Sequence, residues 1–269
     1  MSASTERVRV TYEGELALVT LTRPEQHNGM DFAMLDAVLD AQRQLRKRRD
    51  VRAILLRGEG PSFCAGLDFK SVTREPLGAA LRLPQLLAPW RNSFQQWSLG
   101  WRDLGAPVIA AVHGNCFGAG LQLALGADVR FATADARLSV MEAKWGLVPD
   151  MGGAVLMREL IRVDVAKELT MTGRVVSGAQ AHELGLVTHV VEDPEAAART
   201  LAAELATRSP DSVAASKFLL HDAWGQGGEA VAAAERRWQR ALIGFSNFRA
   251  TLKRNQGTDT PFTPRSVRR

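Results

Sequence analysis

The chain has 269 residues, 46% of them hydrophobic and 23% charged, with 34 Lys and Arg against 29 Asp and Glu and a formal net charge of +5. This is ordinary globular composition with enough apolar residues for a sizeable core. No run of about eighteen apolar residues predicts a membrane span, Met1–Arg9 lacks the apolar stretch of a secretory signal, and the cytoplasm is the expected location.

Val8–Tyr12 and Leu16–Leu21 are short and β-rich, and Glu13-Gly14-Glu15 between them predicts a hairpin that Arg23-Pro24 stops. Asp31 caps a helix over 32–47, where Phe32, Leu35, Val38, Leu39 and Leu45 are the apolar positions. Arg46-Lys47-Arg48-Arg49 closes it, as suits the negative end of a helix dipole. Ala53–Arg57 is a strand ended by Gly58-Glu59-Gly60-Pro61, and Gly78–Trp101 is a helix broken at Pro84 and Pro89. Pro107–Val112 is a buried strand ended by Gly114, Gly118–Gly126 opens a helix of small residues, and Asp128–Ala132 is a further strand. This alternation predicts an α/β fold.

From Pro194 the pattern is helical, with candidates over Glu195–Arg208, Asp211–Trp224 and Glu229–Lys253. The expected division is an α/β core over 1–194 that holds the site and a helical C-terminal region over 195–269. The last dozen residues are rich in Gly, Pro, Thr and Arg and are expected to fray.

Two turns carry potential chemistry. Phe63-Cys64-Ala65-Gly66-Leu67-Asp68 follows a Gly/Pro loop, and Gly114-Asn115-Cys116-Phe117-Gly118-Ala119-Gly120 joins a strand to a helix. The first N–H groups of a helix are unpaired, and glycines let backbone approach a ligand closely. Two such groups from separate turns form an oxyanion hole. Each turn holds one of the two cysteines, Cys64 and Cys116, which have no metal-type spacing and read as buried thiols. Gly114, Gly118 and Gly120 do not match the dinucleotide pattern, and the chain has no G-x-S-x-G and no P-loop. Further on, Glu142 and Asp150 lie eight residues apart across a Pro/Gly loop that ends at Gly152-Gly153, ahead of a helix over Ala154–Ile161. Local readings are a salt bridge for Glu142 and a helix cap for Asp150.

Taken together, Arg23-Pro24…Asn28, Phe63-Cys64-Ala65-Gly66-x-Asp68, Ala111-Val112-His113-Gly114…Gly118-Ala119-Gly120, Ala127-Asp128 and Gly146-Leu147-x-Pro149-Asp150-x-Gly152-Gly153 resemble the enoyl-CoA hydratase/isomerase, or crotonase, family across residues 8–220. The resemblance implies a spiral of ββα units with a helical C-terminal region that builds trimers, often paired as hexamers. It also implies acyl-CoA thioester substrates and an enolate held by two backbone N–H groups. No metal or redox cofactor is implied, since CoA is part of the substrate. By position the hole donors are Leu67 and Ala119. CoA is expected to run past the loop of Arg23 and Asn28 and past Ala65, Gly66 and Asp68, with Gly118 and Trp145 beside the acyl group.

Hydratases of this family use two glutamates. One is present as Glu142, whereas Gln122 stands at the other position, and an amide is not a base. Glu142 with Asp150 partly resembles the dienoyl-CoA isomerase branch, although that branch has an Asp where Gln122 stands. The leading expectation is double-bond isomerisation with Glu142 as principal acid/base, Asp150 as partner and Gln122 as the departure from the hydratase pair. A one-glutamate hydratase, a basic RNA-binding member motivated by Arg46–Arg49, and a catalytically weak CoA-binding scaffold are the alternatives. His113 reads as structural and His182 shows no evident partner. Trp97, Trp101, Trp224 and Trp238 read as core or interface, and Trp145 as a pocket wall.

Overall fold

The computed structural model describes residues 6–87 and 89–269. Met1–Thr5, within the stretch read for a leader, lie outside the described residues.

The hairpin forms as expected from β1 (Val8–Glu13) and β2 (Leu16–Leu21), paired antiparallel. Helix α1 (Phe32–Lys47) starts where Asp31 accepts the Met34 N–H at 2.7 Å, and it buries Met34, Leu35, Val38 and Leu45. β3 (Ala53–Gly58) follows. The short α2 (Phe69–Val72) comes next, and the stretch with Pro84 and Pro89 breaks into α3 (Pro76–Arg82) and α4 (Ser93–Leu99), with 3-10 turns between and after. Then come β4 (Val108–Val112), β5 (Asn115–Phe117), α5 (Ala119–Leu125), β6 (Val129–Ala132) and β7 (Arg137–Ser139). α6 (Gly153–Leu160), α7 (Val163–Thr172), β8 (Val176–Ser177), α8 (Gly178–Glu183) and β9 (His189–Val190) complete the spiral. Four helices end the chain: α9 (Pro194–Ala206), α10 (Pro210–Ala223), α11 (Gly228–Arg240) and α12 (Ser246–Asn255).

The main sheet has the order β1-β2-β3-β4-β6-β9, parallel from β2 onward, and β5, β7 and β8 form a second, smaller sheet. Strands β3 and β4 read as continuous apolar runs because both faces are covered. Ile54 and Leu56 point towards α1, whereas Ala53 and Leu55 point towards Ala198 and Ala202 of α9. The packing of the core therefore reaches past residue 194.

Three local expectations are corrected. Glu229–Lys253 is not one helix: α11 stops at Arg240, and Gly244, at φ +84°, turns the chain before α12. The C-terminal tail does not fray. Buried Asp211 accepts the backbone N–H groups of Ser266 and Val267 at 2.6 and 2.9 Å, and Asn247 Nδ2 at 2.8 Å. His182 has a partner, with Nδ1 3.1 Å from Val187 O. His113, read as structural, has Nε2 2.9 Å from Gly60 O.

Asp211→Ala leaves the Ser266 and Val267 N–H groups without an acceptor, while Asn247 Nδ2 keeps Thr263 O. It is expected to cost about 3 kcal/mol of unfolding free energy, measured by urea denaturation. A change near zero would show that water replaces the carboxylate. Among the described residues no helix is long and apolar enough to cross a membrane.

Candidate active site

The two turns meet at the mouth of a cavity of about 530 Å³, lined by Ala65, Gly66 and Leu67 from the first and Phe117, Gly118 and Ala119 from the second. Their contact explains the glycines. Gly66 sits at φ +92°, and a Cβ there would come within 2.7 Å of Phe117 O and 3.7 Å of Ala119 N. Gly118 sits at φ +47° and swings the chain from β5 into α5. Cys64 and Cys116 pair as a β-bridge beneath the turns. Both are buried free thiols, and burial pushes that of Cys64 up to about 12. They serve as small side chains where the turns touch.

Most backbone groups here are paired. Ala65 N–H donates to His27 O at 2.9 Å, Asp68 N–H to Met30 O at 2.9 Å, and Gly118 N–H to Ser139 O at 2.9 Å. Leu67 and Ala119 N–H groups have no backbone or side-chain acceptor among the described residues. They are the two donors expected from the resemblance, and both residues line the cavity. Ala119 is the first residue of α5, so its free N–H lies at the positive end of that helix. Its carbonyl accepts the indole N–H of fully buried Trp97 at 2.9 Å, which fixes this turn from behind. The sequence marked Trp97 as core and gave no sign of that bond.

Glu142 opens a 3-10 turn over Glu142–Trp145. Its carboxylate lies against Gly118, where a Cβ would be 3.3 Å from Oε1. Gln122 Nε2 donates to Oε1 at 2.6 Å. Oε2 is buried and has no partner among the described residues. Gln122 itself is 2% exposed. Its Oε1 accepts the Met151 and Gly153 N–H groups at 3.0 and 2.8 Å. Two N–H donors on one end of the amide fix its orientation and turn the NH2 toward Glu142. A Cβ on Gly153 would fall 2.7 Å from that oxygen, so the loop closes on Gln122 only with glycine there.

Desolvation raises the Glu142 carboxyl above its ordinary value, and Asp150 nearby raises it further against the lowering effect of the Gln122 hydrogen bond. Asp150 lines the same cavity, on its solvent side, and desolvation raises its carboxyl too. It is not a helix cap, because Gly152 takes that position without a side-chain bond. Trp145 forms a wall, stacked on Phe69 with ring centroids 4.2 Å apart. Leu86, Phe94 and Met141 add apolar lining that the sequence did not single out, Phe32 of α1 joins them, and Arg82 and Lys144 are the cations on the wall.

Three residues expected to meet CoA are occupied elsewhere. Arg23 is buried, with its guanidinium on Asp68 at 2.8 Å, Gly29 O at 2.9 Å and Ser71 Oγ at 3.1 Å. Asn28 is fully buried, accepting Arg23 N–H and donating to Glu59 O and Ser62 O. Asp68 is spent on Arg23 and on the Ser71 N–H and Oγ. None of the three lines the cavity, and their side chains shape the loop behind Ala65 and Gly66. Among the described residues no three His, Cys, Asp or Glu side chains gather as a metal set.

The model of a family described as enoyl-CoA hydratase/isomerase matches residues 11–258. An enoyl-CoA hydratase, EchA19 of Mycobacterium tuberculosis, is 34% identical over 71% of this chain and 71% of its own. The mitochondrial Delta(3,5)-Delta(2,4)-dienoyl-CoA isomerase of Mus musculus is 32% identical over 80% of this chain and 68% of its own. A protein from Thermobifida fusca YX, solved in complex with CoA, superposes with a TM-score of 0.79 at 32% identity, covering 95% of this chain and 96% of that one.

Proposed function

The chain belongs to the enoyl-CoA hydratase/isomerase family of enzymes, and from that premise we propose that it moves a double bond in an unsaturated acyl-CoA rather than adding water across one. The observation that carries this reading is the state of Gln122. Its carbonyl oxygen is taken by two backbone N–H groups and one amide hydrogen by Glu142, so it has neither a basic atom nor a free acceptor with which to take a proton from water. Two carboxyl groups remain at the cavity, both raised by desolvation as acid/base groups working near neutral pH need to be.

In this mechanism the thioester oxygen accepts the Leu67 and Ala119 N–H groups. Glu142 Oε2, the unpartnered oxygen, takes a proton from C2 of a 3-enoyl-CoA, and the electron pair delocalises onto the thioester oxygen as a dienolate. A proton returned to C4 gives the 2-enoyl-CoA. The donor is Glu142 itself for this short shift, and Asp150 when the acyl chain carries a second double bond and the proton lands farther along. The step needs no cofactor beyond the CoA of the substrate. CoA binding is supported by the CoA held in the Thermobifida structure, with Lys144 as the wall cation available to its phosphates, since Arg82 is paired with Asp36 at 2.6 Å. Trp224, Ile243, Phe245 and Leu252, exposed on and beside the C-terminal helices, are the surface proposed for trimer contacts.

The test is turnover of 2-enoyl-, 3-enoyl- and 3,5-dienoyl-CoA esters with product identification. Consumption of the 3-enoyl or 3,5-dienoyl ester to its isomer is expected. A 3-hydroxyacyl-CoA formed from the 2-enoyl ester as the main product would overturn the reading in favour of a one-glutamate hydratase.

Gln122→Glu supplies a second prediction. It puts a carboxylate oxygen where the amide nitrogen lies 2.6 Å from Glu142, so the two acids must share a proton. The acid limb of the rate–pH profile is expected to move to higher pH, and an unmoved limb would show that Gln122 does not hold Glu142 during turnover.

A further inference from the structure

The mechanism leaves both basic clusters of the sequence unused, and the fold brings them together. The end of α1 supplies Arg46 and Lys47, followed by Arg49, and the docked tail supplies Arg265, Arg268 and Arg269. With Arg91 and Asp103 they line a cavity of about 780 Å³. Phe32, at the other end of α1, lines the active-site cavity, so the two cavities lie roughly 20 Å apart along that helix.

The charge there is lopsided. Seven cations line it, against Asp103 on its wall and Asp222, which pairs with Arg269, an excess of five, while the whole chain carries +5. The rest of the chain is therefore close to neutral. Arg46 and Arg91 share Asp103 at 3.3 and 2.8 Å, and Arg269 reaches Asp222 at 2.7 Å. Lys47, Arg49 and Arg268 have no carboxylate within salt-bridge distance among the described residues.

Arg265 is a second, independent sign. It is 5% exposed, and its guanidinium is held by Val51 O and Arg48 O at 3.1 and 3.2 Å, with no carboxylate on it. Gly105 makes room for it, since a Cβ there would fall 2.5 Å from its Nε. Burial pushes it below its ordinary value. Asp211 and Asp50 oppose that burial without touching the guanidinium, so its cost is offset in part, and an anion in the cavity would offset more of it.

We infer that this cavity binds a small polyphosphate, a run of three or more phosphoryl groups, either free or carried on a nucleoside. Six of the seven cations are arginines, whose forked donors match phosphate oxygens in pairs. The volume is that of a small-ligand site. A nucleic-acid strand fits less well, because Phe218, the one ring on the cavity among the described residues, is fully buried and offers no face for base stacking.

The test is calorimetric titration of the full chain at low ionic strength with inorganic triphosphate and with ATP. The comparison protein is the double variant Arg49→Glu, Arg268→Glu, checked for folding by its melting temperature. Triphosphate is expected to bind the parent, to weaken as salt rises, and to bind the variant at least about tenfold less tightly. Acyl-CoA turnover is expected to be equal in the two proteins. ATP binding tighter than triphosphate would support a nucleoside-borne ligand, and equal binding would support a free phosphate chain. No triphosphate binding to the parent, equal binding to both proteins, or full displacement by CoA would overturn the site. Binding of a single-stranded RNA that triphosphate cannot displace would overturn the small-ligand assignment.

Discussion

Glu142→Gln is expected to lower turnover of the accepted unsaturated acyl-CoA by about three orders of magnitude, within the range spanned by general acid–base catalysis. The amide keeps the size and shape of the side chain, and an oxygen remains to accept from Gln122 Nε2. Affinity for a CoA ester should therefore stay within about threefold, so the loss falls on kcat. The variant also reports on the buried carboxyl in the absence of substrate. Glu142 is raised in the folded protein, so as pH climbs from the ordinary glutamate value to the folded one, the unfolded chain ionises first. The folded state then binds more protons, and the parent loses stability with rising pH over that window only. Gln at this position removes that slope. The stability difference should shift in favour of Glu142→Gln through the window and stay flat above it. Thermal unfolding at several pH values reads this directly. A variant that isomerises at the parent rate would sink the assignment of Glu142, whatever the unfolding data show.

The parts of this site legible in the sequence are those that local geometry dictates. Gly66 and Gly118 both need positive φ, so the residue pattern marks the two turns, and the family resemblance names Leu67 and Ala119 as the donors within them. Strands β3 and β4 were legible as apolar runs because a parallel sheet covered on both faces leaves no polar side. What was not legible depends on partners far along the chain. Gln122 reads as a defective catalyst until its carbonyl is seen on Met151 and Gly153, 29 and 31 residues away. Arg23 and Asn28 belong to the family pattern, and nothing local says that their side chains turn inward to Asp68 and Ser62. The tail has the composition of a frayed end, and its anchors, Asp211 under Ser266 and Val51 O under Arg265, lie 55 and 214 residues away along the chain. The basic cavity has the same origin, since it exists only once that tail has docked beside α1.

Ala119→Pro isolates the oxyanion hole. Ala119 is the first residue of α5, the one helical position where proline fits without breaking a helical hydrogen bond. Its N–H has no acceptor within the chain among the described residues, so folding loses nothing when it is removed. The residue before it is Gly118, which has no Cβ to clash with the proline ring. The variant should therefore fold, with a melting temperature within a few degrees of the parent. Turnover should fall about 10²- to 10³-fold, the cost of one oxyanion donor. Proline also sets its ring where the N–H pointed, so part of the loss will appear in KM. Leu67→Pro makes the matching test on the other turn, since the Leu67 N–H is equally unpaired there. If Ala119→Pro folds and keeps more than about a tenth of parental turnover, the thioester oxygen is not held at the start of α5. Proton abstraction by Glu142 would then need another stabiliser for the negative charge it creates.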